Sequence, residues 1–251
     1  MPFTASHAAA VLPLVRTRLP PSALVAGSVA PDLPYFLPVG PDVPTHTAAA
    51  VVGVDLLLGL LLWAGWHGLV ATPALHTAPR RLRARLAGRV RPGLRHRLTA
   101  AGPLALVVVA VVVGAATHVV WDEFTHGGRF GTEHLAVLAD SWAGRPGYRW
   151  AQDASGVLGA VVLAGWLVRW WRRTPPGPVE DRAGRWEPAA VVAATAVLAG
   201  VSALPGEEDL RLAAIDAAFR GGGCALAAVV VLSLAWHLRG RATAALRRPR
   251  Y

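Results

Sequence analysis

The sequence predicts an all-α, polytopic membrane protein with about five transmembrane helices and short interfacial helices at its N-terminus. Hydrophobic residues make up 54% of the 251 residues, only 16% are charged, and the mean hydropathy is +0.42. Soluble domains carry roughly 25% charged residues. Several apolar runs also approach the roughly 20 residues that a helix needs to cross a bilayer. We therefore expect a single membrane domain, residues 1–251, with the lipid bilayer as its main partner.

The N-terminal region predicts short helices that stay outside the bilayer. Residues 5–19 favour a short helix that ends at the pair Pro20 and Pro21, because proline cannot continue a helix. Residues 22–45 are rich in proline and glycine and predict a turn of helix followed by a loop. No run in this region is long enough to span, so we expect residues 1–47 to form an extracytoplasmic segment.

Apolar runs predict the membrane-spanning helices. An arginine-rich loop at 72–97 separates the first two, and a polar segment at 127–152, with a short helix near 132–143, separates the second from the third. The predicted transmembrane helices are 48–70, 101–121, 154–171, 188–204 and 217–238.

The distribution of arginine predicts the orientation. Eight arginines lie in the loop 72–97, five flank the loop 172–187 and five lie in the C-terminal tail, so 18 of 25 share one side. Basic residues accumulate on the cytoplasmic side of membrane proteins. We therefore expect a multi-pass protein of the inner or plasma membrane with a cytoplasmic C-terminus. Because the arginines end apolar segments, the net charge of +10 does not indicate a nucleic-acid partner.

Three histidines and two aspartates are predicted to meet on one membrane face. His118 and Asp122, in the stretch THVVWDEFTH, are four residues apart and lie on one side of a helix. His46 directly precedes the first span, and the predicted topology places it, with Asp32 and His7, on the face where the second span ends. Imidazoles and carboxylates are ligands of zinc and manganese. The cluster therefore predicts a site for a divalent metal, zinc or manganese.

Each of these residues taken singly also has a structural explanation. His118 and Asp122 are compatible with a hydrogen-bonded pair at a helix end. Asp32 lies between two prolines, where aspartate commonly forms turns. His46 and His7 lie near predicted helix starts. The metal site depends on all five residues meeting.

Three further polar residues lie close to the predicted cluster. His126 and Glu123 flank the ligands and are candidate general acid or base groups, if the helix continues past Asp122. Asp55 lies one to two turns inside the first span, where acids face the bundle interior. Two roles stay open for Asp55: a partner of a ligating histidine, or a carboxylate paired with an arginine or a backbone donor.

Four stretches together resemble an uncharacterised family of bacterial membrane proteins, DUF4184. They are MPFTASHAAAVLPL, SALVAGSVAPDLPYF, the THT before the span that carries an aspartate, and THVVWDEFTHGG. The resemblance covers nearly the whole chain and is strongest over residues 1–130. The pattern is also distantly similar to membrane-bound metal-dependent hydrolases, and the ligand order to the zinc-dependent phospholipase C class. Carried over by position, the resemblance implies a ligand set of His7, Asp32, His46, His118 and Asp122.

These features predict a metal-dependent hydrolase that acts at the membrane surface on a phosphoester or lipid-linked substrate. A non-enzymatic membrane protein, whose polar cluster holds a structural metal or a partner, is the alternative. A transporter is a third possibility, which Asp55 favours and the lack of inverted halves in the sequence disfavours. The number of protein ligands distinguishes the hydrolase from the protein with a structural metal, because a catalytic metal keeps one coordination position open.

The topology can be tested with reporter fusions. Fusions at residue 88 and residue 140 should give opposite compartment signals, because the arginine-rich loop is expected in the cytoplasm and residue 140 on the other side. Paired phosphatase and fluorescent-protein reporters at each position measure this directly. The same signal at both positions would contradict the predicted orientation.

Overall fold

The computed structural model describes residues 4–37, 43–86, 93–98, 101–179, 187–202 and 210–246. Within these ranges almost all regular structure is helical, which confirms the all-α class. A small antiparallel pair, in which Ser141 is opposite Pro146 and Trp142 opposite Arg145, interrupts the helices. The chain forms two compact units: Met1–Pro34, Pro38–Trp63 and Arg97–Arg173 in the first, and Tyr35–Leu37, Ala64–His96 and Thr174–Tyr251 in the second.

The helices are given in chain order. The N-terminal half contains a 3₁₀ helix (the N-terminal helix) at Thr4–Arg16, α1 at Pro21–Val29, a second 3₁₀ helix at Ala30–Phe36, α2 at Ala48–Val52, α3 at Val54–Gly65, a π-helical turn at Trp66–Val70, α4 at Ala71–Thr77, α5 at Arg80–Leu86 and α6 at Arg95–Leu98. There follow α7 at Ala101–Thr125, α8 at Phe130–His134, α9 at Ala136–Ala139, strands β1 at Ser141–Trp142 and β2 at Arg145–Pro146, α10 at Gly147–Arg173, α11 at Glu187–Val201 and α12 at Leu210–Leu246.

Four helices are long and apolar enough to cross a membrane: Val54–Thr77, Pro103–His134, Gly147–Arg173 and Leu212–Arg239. The fourth predicted span corresponds to a shorter apolar helix, Glu187–Val201. These helices fit a polytopic membrane protein.

The region of the first predicted span is divided into two helices. Thr47 caps α2, since its Oγ1 accepts a hydrogen bond of 3.0 Å from the Ala50 N–H, so the helix begins at Ala48. Gly53 then separates α2 from α3, with a φ of −110° and a ψ of −105°. The span Val54–Thr77 extends beyond residue 70 into the predicted loop.

In the first unit, α1 and α7 approach each other backbone to backbone. A Cβ atom on Gly27 would overlap the carbonyl of Val111, and a Cβ atom on Gly114 would overlap the carbonyl of Leu24. Small residues at such contacts are typical of helix packing in membranes. The contact brings the carbonyl end of α1 beside the second half of α7, where the predicted ligands lie.

The N-terminal helix packs on α10 through another close contact. Ser6 Oγ donates a hydrogen bond of 2.8 Å to the carbonyl oxygen of Gly156. A Cβ atom on Gly159, one turn further along α10, would lie 2.8 Å from the Cβ atom of Ser6. This contact fixes the helix next to His7 and therefore positions that side chain.

In the second unit, α11 packs along α12. A Cβ atom on Gly221 would lie 2.7 Å from the carbonyl oxygen of Ala196, so these two helices are also in close contact. Helix α12 is joined to the π-helical turn by His237, whose Nε2 lies 3.0 Å from the carbonyl oxygen of Leu69. Phe219 on α12 stacks on Tyr35, with ring centroids 5.3 Å apart.

The close contact between α1 and α7 predicts a large effect of Gly114→Ala. The added methyl group has no room, and overpacking of this kind costs roughly 1–3 kcal/mol of unfolding free energy. The matched control is Gly165→Ala, where a helical glycine has open space for a Cβ atom. Thermal unfolding in detergent should show a lower Tm for the Gly114 variant and an unchanged or higher Tm for the control. Equal melting of the two variants would contradict the packing argument.

Candidate metal centre

All five predicted ligands meet at one place in the first unit. The side chains of Asp32 and His118 are fully buried, that of Asp122 is 1% exposed, and those of His46 and His7 are 6% and 9% exposed. Four segments of the chain supply them: His7 from the N-terminal helix, Asp32 from the second 3₁₀ helix, His46 from the residues before α2, and His118 and Asp122 from α7.

The donor atoms form two groups that share His118: His7, Asp32 and His118 in one, and His46, His118 and Asp122 in the other, each with its ligand atoms within 4.8 Å of one another. His46 Nε2 lies 3.1 Å from Asp32 Oδ1 and 3.5 Å from Asp122 Oδ2, and His118 Nε2 lies 3.5 Å from each of the same two oxygens. His7 Nε2 lies 3.7 Å from Asp122 Oδ1. With metal–ligand bonds of about 2.0–2.2 Å, neighbouring donors are about 2.8–3.6 Å apart. These buried groups could therefore hold a metal ion.

The orientation of His118 is that of a metal-ligating histidine. Its Nδ1 lies 2.8 Å from the carbonyl oxygen of Ser28. A carbonyl oxygen only accepts, so Nδ1 carries a proton, and Nε2 faces the carboxylates of Asp32 and Asp122. Within the described residues, His118 Nε2 has no hydrogen bond. Ligating histidines commonly donate their other N–H to a backbone carbonyl in this way.

Other buried polar atoms of the cluster also lack hydrogen bonds. Both carboxylate oxygens of Asp122 and Nδ1 of His7 have none among the residues that the structure describes. Buried polar groups are normally hydrogen-bonded, and an unsatisfied one costs roughly 1–3 kcal/mol. Buried carboxylate oxygens without hydrogen bonds, such as those of Asp122, are groups that a bound cation would satisfy.

The charge states of Asp32 and His7 suit a cation site. Burial favours the neutral form of Asp32, but the neighbouring imidazoles of His118 and His46 and the hydroxyl of Thr4 hold the pKa of this carboxyl well below its usual range. Thr4 Oγ1 donates to Asp32 Oδ2 over 2.5 Å. Burial, with a smaller contribution from His118, lowers the pKa of His7 to about 4. At neutral pH Asp32 is thus ionised and His7 is neutral, as ligands must be.

His46 is held in a rare backbone conformation by an ion pair. Its φ is 63°, in the left-handed region that non-glycine residues seldom adopt. Arg129 Nη1 donates to the carbonyl oxygen of His46 over 3.0 Å and to Glu123 Oε1 over 3.2 Å. The other Glu123 oxygen accepts the N–H of Phe130 over 3.0 Å. Glu123 and Arg129 therefore anchor the backbone that carries the His46 ligand.

His126 lies between the buried cluster and the surface. Its side chain is 22% exposed, and Nδ1 lies 3.4 Å from Asp122 Oδ1. On the other side of the ring, Nε2 lies 2.7 Å from Nε2 of Gln152 on α10. The structure thus brings His126 beside the five ligands.

Asp55 is fully buried near the cluster, close enough to interact electrostatically with His46 and His118. Neither of its carboxylate oxygens has a hydrogen bond within the described ranges. The backbone of His46 and the two imidazoles are its electrostatic neighbours, so both roles considered for Asp55, a partner of a ligating histidine and a carboxylate paired with an arginine or a backbone donor, stay predictions.

Sequence reasoning missed the partners that orient the ligands. Thr4 and Asp32 are 28 residues apart, and Ser28 and His118 are 90 residues apart. A backbone carbonyl such as that of Ser28 leaves no mark in the sequence, because every residue has one. The position of Gln152 depends on how α10 packs against α7.

This chain is a helical membrane protein with buried groups of histidine and aspartate side chains that could hold a metal ion. The chain belongs to the family described as a domain of unknown function, DUF4184, whose model matches residues 1–237. The predicted resemblance to this family is therefore confirmed. No curated protein and no solved structure shows a significant match to this chain.

The role of Arg129 predicts that Arg129→Gln is destabilising. The left-handed conformation at His46 costs roughly 1–3 kcal/mol, and the substitution removes the donor that holds it. Thermal unfolding in detergent should give a lower Tm for this variant. Arg172→Gln, which changes an exposed arginine at the end of α10, is the matched control and should melt as the wild type does. An unchanged Tm for Arg129→Gln would show that the contacts of Arg129 with Glu123 and the His46 carbonyl oxygen do not stabilise the protein.

Proposed function

We propose that this protein is a metal-dependent hydrolase that acts at the membrane surface on a phosphoester or lipid-linked substrate. The observation that carries the proposal is the convergence of five imidazole and carboxylate groups with spacings of 3.1–3.7 Å. Unsatisfied buried acceptors at the same place support a cation over a purely hydrogen-bonded cluster.

The donor set favours zinc or manganese. Three neutral imidazoles and two carboxylates carry a total charge of about −2, which balances a divalent ion, and these ligand types suit borderline to hard metals. Five protein donors are one fewer than an octahedral ion accepts, so one position is left for water or substrate. When bound, such an ion polarises a phosphoryl oxygen and lowers the pKa of its water towards ~7.

We assign proton transfer to His126. It is the partly exposed imidazole of the site, 3.4 Å from an oxygen of Asp122, and Gln152 orients its ring. A general acid or base must lie within reach of the reacting group and of bulk water, and the partial exposure of His126 beside the proposed ligands supports this role. Glu123 was predicted for the same task, but its two oxygens are engaged by Arg129 and the Phe130 N–H. We therefore assign Glu123 a positioning role.

Exposed aromatic and apolar side chains near the site support a lipid-linked substrate. Phe130, Val137 and Trp142 are 50%, 58% and 53% exposed, and they lie in the segment that joins α7 to α10. Tryptophan and phenylalanine at such places commonly lie in the membrane interface. A substrate that is itself embedded in the bilayer would reach the centre along this surface.

A structural metal without turnover is the second candidate. The near-complete burial of all five ligands favours it, because structural metal sites are closed to solvent. The two candidates share the metal and differ in whether a reacting group reaches it.

Metal content tests the centre itself. The wild type purified in detergent should contain about one zinc or manganese ion per chain. His118→Ala and Asp32→Asn should lose most of it, because losing a ligand costs at least the 10–100-fold in affinity known for residues that orient ligands. His134→Ala, an exposed histidine of α8, is the control and should keep the metal. Elemental mass spectrometry gives the ratio. A wild type that stays metal-free after exposure to several divalent ions would contradict both candidates.

Hydrolysis of bis(p-nitrophenyl) phosphate separates the two candidates. For a hydrolase, the metal-loaded wild type should turn this probe over, and His126→Gln should retain its metal while losing roughly 10²–10⁴-fold in rate. Metal-loaded protein that is inactive on this diester and on a lipid phosphoester in mixed micelles would favour the structural metal.

A further inference from the structure

The second unit contains a cavity that is separate from the proposed metal centre. Its volume is about 1100 Å³. Pockets for drug-sized ligands are roughly 300–1000 Å³ in volume, so this cavity has room for a ligand at least as large as a drug molecule. The walls come from α4, α11, α12 and the π-helical turn, and none of the proposed metal ligands contributes to them.

The walls are mostly apolar, and three charged residues are among those that line the cavity. Val70, Val192 and Leu232 are among the apolar side chains that line the cavity. Arg80 and Arg239 contribute to the same lining, and Glu187 is the acidic residue that lies with them. The formal charge of these three groups is +1, and the arginine-rich loop 72–97 adds further positive charge near α5.

Contacts of α5 fix the backbone position of Arg80. Helix α5 begins at Arg80, and Arg83 on the same helix is buried and donates a hydrogen bond of 2.8 Å to the carbonyl oxygen of Ala78. The N–H of Gly177 donates to the carbonyl oxygen of Ala84 over 2.6 Å. Both contacts hold α5 against its surroundings, so the guanidinium group of Arg80 starts from an anchored helix.

We propose that this cavity binds one anionic phospholipid. An acyl chain of the lipid lies against the apolar walls, and its phosphate lies at Arg80 and Arg239. An apolar cavity rules out a fully polar ligand. Two guanidinium groups favour a headgroup with a net negative charge over a zwitterionic one, because the zwitterionic headgroup adds a cation beside its phosphate. Basic pockets between transmembrane helices on the cytoplasmic side commonly bind anionic lipid headgroups. The expected orientation of the loop 72–97 places the cavity on that side.

The test measures lipid retention by the full-length protein. The wild type in detergent is mixed with equal amounts of dioleoyl phosphatidylglycerol and dioleoyl phosphatidylcholine, and the lipids that stay bound are counted by native mass spectrometry. We expect a preference of about tenfold for phosphatidylglycerol, because each arginine near a headgroup of net negative charge contributes roughly a fivefold factor and Glu187 offsets part of it.

Two kinds of variant separate the headgroup from the acyl chain. Arg80→Gln with Arg239→Gln should reduce the preference to about one, whereas Arg81→Gln with Arg172→Gln, two exposed arginines outside the cavity, should keep it. Ala74→Trp should fill part of the cavity and reduce retention of both lipids. If the double variant does not fold, the single variant Arg239→Gln at the exposed helix end gives the same comparison.

Three results would overturn the proposal. They are equal retention of the two lipids by the wild type, an equal loss of preference in the control pair, and unchanged lipid retention in Ala74→Trp. The metal content of every variant should stay at the wild-type value, since no substituted residue belongs to the metal centre. Lipid binding and metal binding can therefore fail independently.

Discussion

The hydrogen bond from His118 Nδ1 to the carbonyl oxygen of Ser28 is the interaction on which the rest of the site depends. It requires the backbones of α1 and α7 to lie closer than ordinary side chains permit, and Gly27 and Gly114 make this possible. Once the two helices are in contact, the second 3₁₀ helix carries Asp32 to the same place. The glycines thus influence the chemistry of the centre although they contribute no ligand.

Buried charge in a membrane helix is costly, and this protein concentrates it at one centre. His118 and Asp122 lie on the apolar helix α7, where ionisable residues are tolerated only when paired or functional. Three further groups from the N-terminal segments surround them, so that each carboxylate faces at least two imidazoles. A cation at this point would satisfy the remaining acceptors.

The residues around the ligands divide into two groups with different tasks. Thr4 and Ser28 hold ligands directly by hydrogen bonds. Glu123 and Arg129 act on the backbone, since they stabilise the left-handed conformation of His46. His126 and Gln152 form the partly exposed side of the site. The arrangement thus combines buried histidine and aspartate side chains with one partly exposed imidazole.

The sequence by itself determined the fold class, because long apolar runs separated by arginine-rich segments form transmembrane helices, which satisfy their own backbone hydrogen bonds in lipid. It also determined which residue types form the cluster, since the four-residue spacing of His118 and Asp122 follows from helix periodicity. Only the tertiary structure decided that His7 and Asp32 reach the same point, because this depends on close helix contacts at Gly27, Gly114 and Gly159. It also decided that Glu123 pairs with Arg129, because Arg129 lies beyond the end of α7, where helix periodicity no longer relates the two positions.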